Sequence, residues 1–171
     1  MSKITEQISA GVYELVQSKL LATLQADEVL AAVIESFSTE LPDENTQFGG
    51  HQVPRIICIT ERRDEEIDSD GQARIDHYHA SISTYHQGLA LSALITDAQR
   101  LAAYIELLLE AEGRKHAGLS GLDAEIEGAR GSLIIGTIAT EFFSGRHERG
   151  NLYQVESVTA CEIIIARPLA G

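Results

Sequence analysis

The chain has 171 residues, 44% of them hydrophobic, and a formal net charge of −13. That length and apolar content suit one globular domain that needs no disulfide or metal staple. The acidic balance argues against tight binding to nucleic-acid phosphates or to an anionic membrane, and the absence of tryptophan, with 5% aromatic residues, argues against a base-stacking surface.

Residues 4–25 predict a helix, because Ile4, Ile8, Val12, Leu15, Val16 and Leu20 recur at three- and four-residue spacing. Asp27 is placed to cap a second, shorter helix with Val29, Leu30, Val33, Ile34 and Phe37 on its inner face, so that the helical part spans 4–38. Residues 38–53, with Pro42, Asp43, Asn45, Gly49 and Gly50, read as a loop. The opening Met1-Ser2-Lys3-Ile4-Thr5 lacks the layout of a signal peptide, and no apolar run approaches the ~20 residues that span a bilayer. A protein kept in a cytoplasm, or in something assembled there, is expected.

Pro54 opens a strand in which Ile56, Ile57, Cys58 and Ile59 form a short apolar run, as in a strand covered on both faces. Asp68-Ser69-Asp70-Gly71 is a turn signal, and Asp70-Gly71 suits a two-residue hairpin loop. The return strand alternates Tyr78, Ala80, Ile82 and Thr84 with His77, His79, Ser81 and Ser83. The hairpin 54–86 thus carries a polar, charged outer half, residues 61–76, expected to stand clear of the core as a solvated β-arm. Thr96 is a candidate cap for a helix over 97–112, with Leu101, Ile105, Leu108 and Leu109 facing the core. A glycine-punctuated segment follows. A last hairpin, 132–166, comprises Leu133 to Phe143, a polar turn over 146–151, and a strand with Val155, Ser157, Thr159, Cys161, Ile163 and Ile165 on one face. The order α(α)-β-β-α-β-β predicts one α+β domain: a four-stranded, mainly antiparallel sheet of two hairpins, helices on one face, and a protruding β-arm.

Chemistry-bearing patterns are scarce. Cys58 and Cys161 lie in apolar strand-like runs and read as buried thiols. His77 and His79 share a strand face and are the only metal candidates, against the plainer reading of two polar residues on a solvent face. His86 falls on the opposite face, and His51, His116 and His147 lie in loops. Read as a calcium loop beginning at Glu66, the acidic run would need its bidentate glutamate at position 77, which is histidine. No phosphate loop, Gly-x-Ser-x-Gly elbow or His-Glu-x-x-His motif occurs. No catalytic or cofactor-binding residue is assigned, and the chain is read as a non-enzyme.

The chain resembles the tail terminators of long-tailed, lambda-type phages. The matching segments are Pro54-Arg55-Ile56-Ile57-Cys58-Ile59-Thr60, the arm closed by Asp68-Ser69-Asp70-Gly71, the strand His77-Tyr78-His79-Ala80-Ser81-Ile82-Ser83, the helix near Ala98–Leu109, and Val158-Thr159-Ala160-Cys161-Glu162-Ile163-Ile164-Ile165. The longer N-terminal helical part and the glycine-rich 113–131 depart from that pattern, which keeps another neck or tail-completion protein as the alternative. The resemblance implies a virion protein, assembled in the bacterial cytoplasm, that forms a ring, a hexamer in the family, on the end of the tail tube. Its partners would be other copies of itself, the tail tube protein, the head–neck connector and, in a contractile tail, the sheath; DNA would cross the lumen without specific binding. Glu61, Arg62, Arg63, Asp64, Glu65, Glu66 and Arg74 on the arm would then supply complementary charge to a neighbouring subunit.

Overall fold

In a computed structural model of the chain, the described residues are 11–41, 54–68, 70–114, 126, 129–146 and 152–168, without the side chains of 134–137, 146 and 168. Expectations for Ile4, Ile8, most of the loops 38–53 and 113–131, and His51, His116 and His147 fall outside them.

Helix α1, Val12–Gln25, buries Val16, Leu20 and Leu24, one residue per turn, as the apolar spacing predicts. The Asp27 carboxylate ends this run by accepting from the backbone N–H of Val29 (3.0 Å) and Leu30 (2.9 Å), which starts α2, Glu28–Val33. The Tyr104 hydroxyl donates to the same carboxylate at 3.1 Å, tying this corner to the next helix. Helix α2 is shorter than the sequence suggests. Leu30 and Ile34 are buried, but Val29 and Val33 face solvent, and Phe37 lies in a strand, β1, Ser36–Ser38. The reason is an open sheet edge: β1 pairs in parallel with β2, Arg55–Ile67, and Glu35 N–H donates to Pro54 C=O at 2.8 Å.

Among the described residues the sheet therefore has five strands, more than the four expected, in the order β1-β2-β3-β5-β4. Strand β3, Ala73–Gly88, pairs antiparallel with β2 and, on its other side, with β5, Tyr153–Pro168; β4, Arg130–Arg146, pairs with β5. The two expected hairpins are thus present and joined through β3 and β5. The turn between β2 and β3 is wider than a two-residue loop. Asp68 N–H donates to Ala73 C=O (3.1 Å), Gly71 N–H donates to Asp68 C=O (2.9 Å), and Gly71 takes φ +66°, which glycine adopts without strain.

Helix α3 spans Leu91–Gly113 and begins before the expected Thr96 cap. Thr96 lies inside it and donates to Ser92 C=O (3.0 Å), while Leu94 and Ala98 continue the buried stripe onto Val155. Gly88 packs closely against this first turn, where a Cβ would meet the Leu94 side chain at 3.2 Å. The helices α1, α2 and α3 cover one face of the sheet. Val16, Leu20, Leu24, Leu30, Leu101, Ile105 and Leu109 join Ile56, Cys58, Tyr78, Ala80, Ile82, Leu133, Cys161, Ile163 and Ile165 in one core. Cys58 and Cys161 are free and buried, as expected. Among the described residues no helix is long and apolar enough to cross a membrane.

Candidate interaction surface

The arm is built on a β-bulge. Pairing of β2 with β3 shifts between Thr60 and Arg62, so that Glu61 is the extra residue. The Thr60 N–H, turned away from the ladder there, donates to Gln17 Oε1 of α1 at 3.1 Å. The shift reverses which side chains face the helices. Before it, Ile56 and Cys58 join the core; after it, Arg63 stands opposite Tyr78, Glu65 opposite Asp76, and Ile67 opposite Arg74.

The arm does not stand clear as a two-stranded hairpin. Strand β5 follows β3 to its end, with Arg167 opposite Arg74 and Ile165 opposite Asp76. On the helix-side face this register gathers one ionic cluster. Asp76, with 0% exposure, meets Arg74 Nη2 at 3.2 Å, Arg167 Nε at 3.4 Å and Arg63 Nε at 3.7 Å. Arg63 Nη2 also donates to Glu65 Oε2 at 2.7 Å. The Asp76 charge raises the pKa of Arg63 above its ordinary value. Three guanidiniums share two carboxylates, and Arg74 Nε, Arg167 Nε and Arg167 Nη2 are buried without a hydrogen-bond acceptor.

The opposite face carries the remaining arm charges. His79 Nε2–H donates to Asp64 Oδ2 (2.9 Å), Asp64 also meets Arg62 (3.6 Å), and Ser81 donates to Glu61 (3.0 Å). His77 touches Glu162 through Nδ1 and lies 3.4 Å from Glu66 through Nε2. The two histidines thus share a face, as their spacing predicts, and each is engaged by carboxylates. Among the described residues no three His, Cys, Asp or Glu side chains are arranged to hold a metal ion.

The seven arm residues singled out from sequence consequently divide: Arg63, Glu65 and Arg74 on the helix side, and Glu61, Arg62, Asp64 and Glu66 on the other. Asp76, Glu162 and Arg167 escaped sequence reading. The signal for Asp76 was present, since it continues the buried alternation of Tyr78, Ala80 and Ile82. Arg167 and Glu162 are recognisable only once β5 is placed beside β3.

At the far end of the sheet Thr84, His86 and Ser157 form a buried polar group. Thr84 Oγ1 lies 3.2 Å from His86 Nε2 and contacts Ser157 Oγ. A hydroxyl beside an imidazole suggests a nucleophile and base, yet both hydroxyls have 0% exposure, so no substrate reaches them. Burial lowers the His86 pKa below 6.5, against a smaller opposing effect of Asp97. The folded chain therefore binds fewer protons here than the unfolded chain. This contribution to stability is complete above about pH 6.5 and is lost as the pH falls below it toward the folded value. Urea midpoints should drop between about pH 7.5 and about pH 5.5, and His86→Gln should flatten that drop. An unchanged slope in the variant would remove His86 as the cause. Burial likewise holds the Cys58 thiol above its ordinary pKa and raises Cys161 to about 12, so neither is a thiolate near neutrality.

No protein-family model matches the chain, and no curated protein matches it. Among solved structures, the chain is similar to a chain of the "Virion of native gene transfer agent (GTA) particle", with 16% identity and a TM-score of 0.44, over 86% of this chain and 93% of that one.

Proposed function

We propose that this chain is a self-assembling structural protein of a phage virion, forming a ring that caps the tail tube and offers a face for head–tail joining. The observation that carries the reading is a sheet of long strands with two open edges. Strand β1 covers the outer edge of β2 only from Arg55 to Ile57, and among the described residues no strand pairs with that edge beyond this point or with the outer side of β4. Open edges of this length invite pairing with another chain unless they are blunted. Exposed Phe142 and Phe143 lie on β4, at 45% and 51% exposure. The resemblance of the element order to tail terminators supports the same reading. The acidic charge of −13 fits a ring whose lumen DNA crosses without binding. The reading assigns no reaction, metal or cofactor to the chain.

The test has two parts. Sedimentation of the purified chain should show a closed oligomer of defined mass, seen as a ring by electron microscopy; a monomer at every concentration would end the proposal. Co-sedimentation with purified tail tubes and, separately, with head connectors then distinguishes the terminator from a neck or tail-completion protein. Deleting residues 63–75 is a poor probe of the arm, because it would also remove Arg63 and Arg74 from the buried cluster around Asp76.

A further inference from the structure

The arm presents opposite charge on its two faces. On the helix side Arg63, Arg74 and Arg167 outnumber Glu65 and Asp76. The Arg63, Arg74 and Arg167 side chains are 33%, 31% and 25% exposed, with Asp76 buried beneath them. Five N–H donors per guanidinium exceed what two carboxylates accept. Among the described residues Arg74 Nε, Arg167 Nε and Arg167 Nη2, and also Asp76 Oδ1, are buried without a hydrogen-bond partner, so the accessible donors are the remaining guanidinium nitrogens. On the other face Glu61, Asp64, Glu66 and Glu162 outnumber Arg62 and the more distant Arg130, and Asp64 and Glu66 are 58% and 63% exposed.

We propose that these two faces are the two halves of one contact between copies of this chain: the arginine cluster of one copy receives Asp64 and Glu66 of the next. The inference rests on the reading of the chain as a ring-forming protein and names where its subunits meet. Copies carrying −13 repel one another, so association needs local patches of complementary sign. Two patches on opposite faces of one arm cannot satisfy each other within a chain. They also cannot make a two-fold, self-matching contact. They make a head-to-tail contact, which closes into a ring where the rotation between copies closes and otherwise extends into a filament. Apolar surface lies beside each patch. Ile67, 60% exposed, is on the arginine side, and half-buried Ile75 and Ile164 are on the carboxylate side.

The test uses the full chain. Asp64→Lys combined with Glu66→Lys reverses two exposed charges that Asp76 does not depend on. The double variant should still fold, since both carboxylates are exposed, and should assemble on the order of 100-fold more weakly. Parental assembly should itself weaken as salt is raised. A second variant, Arg167→Lys, keeps the charge and adds an amine. Carbodiimide coupling followed by mass spectrometry should then find an amide between position 167 of one copy and position 64 or 66 of another. If the double variant assembles like the parent, or coupling at position 167 reaches neither carboxylate in an intact oligomer, the contact is elsewhere while the ring reading stands. If the double variant fails to fold, the coupling result alone decides. If the parent itself is monomeric, both the contact and the ring reading fall.

Discussion

Asp76→Ala should cost about 3–5 kcal/mol of folding stability, the usual loss when one member of a buried ion pair is removed. The Asp76 side chain has 0% exposure and is the carboxylate common to Arg63, Arg74 and Arg167. Without it, among the described residues Glu65 is left to offset three positive groups at one end of the sheet. Glu65 meets Arg63 at 2.7 Å and Arg74 at 3.9 Å. The loss has two sources, the mutual repulsion of the guanidiniums and the burial of N–H donors with no acceptor. Asp76→Asn keeps the shape and one acceptor oxygen, and should fall between the parent and the alanine variant. Urea denaturation of the two variants checks the order. A loss below about 1 kcal/mol for alanine would mean that solvent or a partner already satisfies the cluster.

Ile163→Ala should destabilise by about 2–5 kcal/mol, the range for emptying a fully buried aliphatic site. Ile163 has no exposed surface, stands between Tyr78 of β3 and Leu133 of β4, and belongs to the core shared with the helices. Its neighbours are held in strands on both sides, so the cavity has little room to collapse. Ile164→Ala, one position along and half-buried on the opposite face, should cost less in the same urea titration. If the two substitutions cost the same, the assignment of the helix-covered face would be wrong.

Much of the fold was legible because apolar residues repeat at the period of their element. The alternation from Val155 to Ile165 and the four-residue spacing of Val12, Val16 and Leu20 each mark a covered face without knowledge of its partner. Three features were not legible, each for a physical reason. Strand β1 is only Ser36–Ser38, and it exists because β2 offers an edge there, which no local pattern encodes. The early start of α3 has no side-chain cap, whereas Thr96 has the chemistry of one and sits mid-helix. The bulge at Glu61 is a single added residue in a charged run, where no apolar alternation exposes the change of face. That bulge also decided how much of the candidate surface could be read. The charged arm residues were recognisable as a set, but their division between two faces needed the register with β3. The residues that complete each cluster, Arg167 and Glu162, belong to β5, distant in sequence and adjacent only through the β3–β5 ladder.

That ladder carries a consequence for timing. A ribosome delivers β2 and β3 before β5, so Arg63, Arg74 and Asp76 are made before Arg167. The flank of β3 stays bare until the last strand docks. The proposed contact between copies includes Arg167, so under that proposal it is complete only after β5 has docked against β3.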